Sequence, residues 1–77
     1  MESTFEQAQK ILAANVRAAR LAAGVSQEEL AFLAGIDRTY ASQIERAIAN
    51  PSLGITCAIA DALGCNVLEL LTYQNKK

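Results

Sequence analysis

Arg38, Thr39, Ser42 and Gln43 fall on one face if the segment that holds them is helical, because positions three and four apart align on a 3.6-residue turn. Their chemistry is hydrogen bonding, not bond breaking. A guanidinium can donate two parallel hydrogen bonds to O6 and N7 of a guanine, a carboxamide can pair in the same two-point way with an adenine, and a threonine can touch a thymine methyl. Tyr40 carries a long rigid ring with a terminal hydroxyl, suited to a phosphate or a sugar. The same four side chains on an exposed helix face are also ordinary solvated residues. The elements that hold them decide between the two.

Those elements are two short helices joined by a tight turn, QEELAFLAGIDRTYASQIER, over residues 27–46. Ser26 can cap the first helix through its hydroxyl, and Glu29 completes a Ser-x-x-Glu capping box. Gly35 follows Ala34, where a helix can end on a left-handed residue that glycine adopts cheaply. Asp37 is expected to cap the next helix. Ala31 is small enough to let the two helices approach, and apolar Ile44 completes the crossing. This layout is a helix-turn-helix, in which the second helix enters the major groove of DNA with its N-terminal side chains nearest the base edges.

The rest of the chain reads as three more helices, with no strand signal and no linker long enough to divide domains. Ser3 and Glu6 form a capping box for the first, along which Phe5, Ala8, Leu12, Val16, Ala19 and Ala23 recur on one face until Gly24. After the loop AIANP, Pro51 stops any continuation, Ser52 caps a helix through Leu63, and Gly64 ends it. Asn66 and Glu69 open a short last helix with Val67, Leu68, Leu70 and Leu71, before a polar tail, TYQNKK, expected to be frayed. The expectation is an all-α single domain over residues 1–77, with the helix-turn-helix at about 27–46 and a dimerisation region at about 52–73.

The run SQEELAFLAGIDRTYASQIER, followed by NPSL and IADALG, resembles the Xre-type, lambda-repressor-like helix-turn-helix domains from about Leu12 to Leu71. Within them, DRTYAS and IER are similar to the small controller proteins of restriction-modification systems. The resemblance implies a compact five-helix DNA-binding domain: a sequence-specific transcriptional regulator of double-stranded DNA, acting as a homodimer on a near-palindromic operator. It implies base reading by Arg38, Thr39, Ser42 and Gln43, and backbone contacts from Gln27, Tyr40, Arg17, Arg46 and Asn50. It also implies a structural ion pair between Arg20 and Glu45 that ties the first helix to the third. Ile55, Val67, Leu68 and Leu71 are the expected dimer interface, with Phe32 and Leu33 a competing patch and Leu70 in the core. Three positions depart from the family pattern. Ala47 stands where glycine is usual after the third helix, Ala41 replaces a larger aliphatic, and Thr56 replaces a leucine. An interaction module or antitoxin-like partner on the same fold is the alternative, since fold alone does not fix function.

Composition narrows the field further. Apolar residues make up 52% of 77 positions, more than so small a domain needs for its own interior, and self-association is the natural sink for the excess. No run reaches the roughly 18–20 apolar residues of a membrane span, and MESTFEQAQK lacks the basic and apolar regions of a secretion signal, so a cytoplasmic protein is expected. Cys57 and Cys65 fit neither zinc-site nor paired-redox spacing and there is no histidine, so no metal or cofactor is expected. A net charge of −1 excludes a protein that coats nucleic acid indiscriminately. A locally positive face remains available, because Lys10, Arg17, Arg20, Arg38 and Arg46 lie within residues 10–50 whereas Glu2, Glu6, Asp61 and Glu69 lie outside. Lys10 is too far up the first helix to contribute much. Glu28, Glu29 and Asp37 place acids on or beside the helices nearest DNA, and the resemblance implies that such an acidic surface can touch RNA polymerase, a further candidate partner. No glycine-rich phosphate loop, paired carboxylate or nucleophile constellation suggests an enzyme.

Overall fold

Five helices are present in the computed structural model, which describes residues 1–74: α1 (Thr4–Ala23), α2 (Gln27–Ala34), α3 (Arg38–Glu45), α4 (Leu53–Leu63) and α5 (Val67–Leu71). No strand occurs among the described residues. The expectation of a frayed tail concerns in part residues 75–77, which lie outside them.

Local chemistry sets where the helices begin. At α1, Ser3 Oγ accepts from the Glu6 amide at 3.1 Å while Glu6 Oε1 accepts from the Ser3 amide at 2.9 Å. At α2 the same exchange joins Ser26 and Glu29 at 3.0 and 2.8 Å. At α5, Asn66 Oδ1 accepts from the Leu68 amide and Glu69 Oε1 from the Asn66 amide, both at 2.8 Å. Ser52 caps α4 by accepting from the Ile55 amide at 3.1 Å. The exception is α3. Asp37 has the extended backbone of a capping residue, yet its side chain makes no capping hydrogen bond, which corrects the expected role. Its carboxylate is exposed, where water competes for it on equal terms.

The ends of α1, α2 and α4 share one turn, with Gly24, Gly35 and Gly64 left-handed and the next amide bonding back five residues, as Ile36 does to the Ala31 carbonyl at 2.9 Å. The end of α3 repeats that turn without glycine. Ala47 has φ 58°, and the Ile48 amide reaches the Gln43 carbonyl at 2.9 Å. The departure from the family pattern therefore changes the residue and not the turn, at a steric cost of roughly 1–2 kcal/mol.

The core is shared among all five helices. Leu12 and Val16 from α1, Leu30 from α2, Ile44 from α3, Ile59 and Ala60 from α4 and Leu70 from α5 are buried together with Ala49. Only the middle of the α1 stripe is covered, because Phe5, Ala8 and Ala23 are exposed. Ala41 is buried beneath α3, and Thr56 is accommodated by donating its hydroxyl to the Ser52 carbonyl at 2.9 Å.

Two buried or half-buried amides on α1 replace further apolar contacts. Gln9 Nε2 donates to the Ala49 carbonyl at 2.8 Å, and Asn15 Nδ2 donates to the carbonyls of Leu70 and Thr72 at 3.0 and 2.8 Å. α1 thus touches the far ends of both the helix-turn-helix and α5. Among the described residues no helix is long and apolar enough to cross a membrane.

Candidate nucleic-acid interface

α3 has two faces of opposite character. Ala41 and Ile44 are buried, and half-buried Tyr40 packs against the same core. Arg38, Thr39, Ser42 and Gln43 occupy an arc of roughly 140° on the other side, at about 100° per residue. Arg38 and Thr39 are exposed and Ser42 and Gln43 partly so. None of these four side chains makes a hydrogen bond to another described residue, so their donors and acceptors are free for a ligand. Tyr40 differs from its expected projection: packing occupies the ring, leaving the hydroxyl as the part available to a phosphate.

The C-terminal end of α3 is anchored by the better shielded of the two ion pairs among the described residues. Arg20 Nε donates to Glu45 Oε2 at 2.6 Å and Nη2 to Oε1 at 3.1 Å, while Nη1 donates to the Val25 carbonyl at 3.0 Å. The two side chains are 11% and 4% exposed. The hydrogen bond to Glu45 pushes the Arg20 pKa further above its ordinary value, against the opposing effect of burial. A planar fork meeting a carboxylate in two-point fashion fixes an angle as well as a distance. Here it fixes the tilt of α3 against α1.

Gln27 belongs to this cluster. Its Nε2 donates to Glu45 Oε1 at 3.1 Å, so the amide expected to reach a phosphate has a partner inside the protein and links the start of α2 to the end of α3. Arg17, Arg46 and Asn50 are exposed. Lys10 is paired with Glu2 on the surface and is thereby removed from the basic set. On α2, the Glu29 carboxylate is committed to its cap, whereas Glu28 is exposed and has no hydrogen-bond partner among the described residues.

The apolar residues expected to meet a partner divide by exposure. Leu68 is 65% exposed and Leu71 is also exposed, whereas Ile55 and Val67 are half-buried and packed against the core. Leu70 is buried. Leu53, at 69% exposure, and Phe5 line a shallow depression with Leu71 that sequence reading missed. Phe32 is 84% exposed and lines another with Leu33, Glu28 and Glu29. Cys57 and Cys65 are free thiols, and burial together with the nearby Glu69 charge raises the Cys65 pKa.

A helix held at one end by a buried ion pair, with an unbonded polar face opposite the core, defines a helix-turn-helix domain, and the helix-turn-helix family model matches residues 16–70. The chain belongs to that family of DNA-binding transcriptional regulators. Within it, the chain is 41% identical to control protein C.SmaI of Serratia marcescens, over 95% of this chain and 87% of that one. The crystal structure of a hypothetical transcription factor from Neisseria superposes with a TM-score of 0.84 at 42% identity, covering 95% of this chain and 85% of that one. The restriction-modification controller protein C.AhdI from Aeromonas hydrophila gives a TM-score of 0.78 at 40% identity, covering 80% and 94%.

Proposed function

We propose that this chain is the controller protein of a restriction-modification system, binding a near-palindromic operator as a homodimer with one α3 in each half-site. The observation that carries the reading is α3 itself, braced through Glu45 and unbonded along Arg38, Thr39, Ser42 and Gln43. In this reading those four read base edges, with Arg38 on guanine and Gln43 on adenine. The Tyr40 hydroxyl, Arg17, Arg46 and Asn50 hold the phosphates. Gln27 contributes through the backbone amides at the start of α2, its side chain being engaged by Glu45.

Dimerisation follows from the limited reach of one helix. Two half-sites about 10 base pairs apart add their affinities, which an acidic body with weak non-specific attraction needs. Leu68 and Leu71 supply the exposed apolar surface, with Ile55 and Val67 supporting them from the core side. The protein works in the cytoplasm beside its operator and carries out no catalysis.

Selection from a pool of random duplexes, repeated at rising salt, tests the reading. A regulator enriches one symmetric site and loses affinity as salt increases. No enrichment favours an interaction or antitoxin-like module, and a monomeric mass at micromolar concentration refutes the dimer.

Contact with RNA polymerase is a second reading, supported by Glu28 standing free beside Phe32 and Leu33 around a depression of about 410 Å³. Glu28→Lys then abolishes activation while leaving operator affinity intact or raised. Loss of activation and operator affinity together would assign Glu28 to DNA binding instead.

A further inference from the structure

α5 is five residues long, and a helix that short has no stability of its own in water. Its position is therefore set by its neighbours. The Asn66–Glu69 box fixes its start, and buried Leu70 plants it in the core. Its end is fixed by Asn15, whose Nδ2 donates to the Leu70 carbonyl at 3.0 Å and the Thr72 carbonyl at 2.8 Å. These are carbonyls at a helix C-terminus, where the backbone that follows supplies no donor and only the Gln74 side chain, at 3.3 Å from the Thr72 carbonyl, adds to Asn15.

Asn15 lies one and a half turns before Arg20 on α1, and Arg20 holds Glu45 at the end of α3. One twenty-residue helix thus grips both the element that carries Leu68 and Leu71 and the element that carries the reading face. The angle α5 takes against α1 therefore sets the angle between α5 and α3.

We propose that Asn15 is a positioning residue for DNA recognition: by clamping the end of α5 to α1, it sets the relative orientation of the two reading helices in the dimer and hence the half-site spacing the dimer accepts. The inference rests on the reading that α5 carries the dimer interface. The position demands an amide. Both acceptors are carbonyl oxygens, and the asparagine NH₂ supplies the two hydrogens they require. An aspartate of the same shape presents an oxygen lone pair to both carbonyls. A leucine fills the volume, leaves the Leu70 carbonyl without its donor, and leaves the Thr72 carbonyl only the Gln74 amide at 3.3 Å.

The experiment compares the wild type with N15D and N15L by far-UV circular dichroism and sedimentation equilibrium. Each is then titrated against duplexes carrying the selected symmetric site with its half-sites moved by one or two base pairs either way, and against an isolated half-site duplex at low salt. The wild type is expected to prefer one spacing by about tenfold or more, as the fixed pitch of DNA requires. Both variants are expected to remain helical, to dimerise at least about tenfold more weakly (roughly 1.4 kcal/mol), and to discriminate spacings by no more than about threefold. Half-site affinity should stay within about twofold. Folded variants that keep the wild-type spacing preference overturn the inference while leaving the dimer reading intact. Loss of half-site affinity in parallel with spacing preference, or loss of helicity in both variants, assigns Asn15 to general stability and also overturns it. A monomeric wild type refutes the dimer reading, and the inference with it.

Discussion

Replacing Glu45 by glutamine exchanges one oxygen for an amide and removes one charge where three donors converge, namely Arg20 Nε at 2.6 Å and Arg20 Nη2 and Gln27 Nε2 at 3.1 Å. A carboxamide accepts at only one of its two heavy atoms. At the other, N–H faces N–H, and the Arg20 guanidinium keeps its charge in a site where its side chain is 11% exposed. Breaking a buried pair from one side costs roughly 3–5 kcal/mol, because the surviving charge is left uncompensated. A 77-residue domain has about 4–12 kcal/mol in total at roughly 0.05–0.15 kcal/mol per residue, so about a quarter or more is lost. At about 4–8 °C per kcal/mol, Glu45→Gln should melt at least ~12 °C below the wild type in circular dichroism. The melts are run at fixed protein concentration, since self-association would make Tm depend on it. The double variant Arg20→Met with Glu45→Leu removes both charges and should recover most of the loss, since apolar replacements of a buried pair are often neutral. A Glu45→Gln melting temperature within about 3 °C of the wild type would refute the buried-pair reasoning. A double variant as unstable as the sum of its singles would show that the two residues do not act on each other.

Three smaller perturbations test other features. Ala47→Gly should relieve about 1–2 kcal/mol of left-handed strain, less about 0.5–1 kcal/mol of added chain entropy, for a net rise in Tm of a few degrees; a fall would mean that φ 58° is not strained. Ser26→Ala should lower the urea-unfolding free energy by about 1 kcal/mol, whereas Asp37→Ala, which removes no capping bond, should cost less than half as much. Arg38→Ala should leave the melting temperature unchanged, cost about 1–3 kcal/mol on the selected operator, and relax the preference at one guanine; equal losses on all duplexes would make Arg38 a phosphate contact.

Most helix boundaries were legible because their causes are local. A serine or asparagine followed three residues later by glutamate states both partners of a cap within four positions, and Gly24, Gly35 and Gly64 mark their own turns. The Arg20–Glu45 pair was reached only through family resemblance, since nothing in a 25-residue separation announces it. Gln27 also bonds Glu45, and that partner was hidden for a related reason. Its place at the start of α2 suggested a phosphate partner, but Glu45 comes within reach only once α2 and α3 have crossed. Asn15 and Gln9 left no trace at all, because each bonds a backbone carbonyl 40 or more residues away, and a carbonyl is the same group in every residue. The structure also decided whether Ala47 itself takes the left-handed conformation or the helix ends in another way. Composition could not, since the strain is borne by a turn that three glycines elsewhere make without it.

The four free side chains on α3 have a consequence for how such a protein changes over time. Arg38, Thr39, Ser42 and Gln43 bond to no other described residue, while Ala41, Ile44 and Glu45 carry the attachment of the same helix. If the proposed reading holds, substitutions on the free face alter the address without altering the frame. Under the same reading a duplicated copy of the gene can move to a new operator through a handful of changes, each intermediate remaining folded, so that divergence is limited by how quickly matching DNA sites arise and not by loss of the fold along the way.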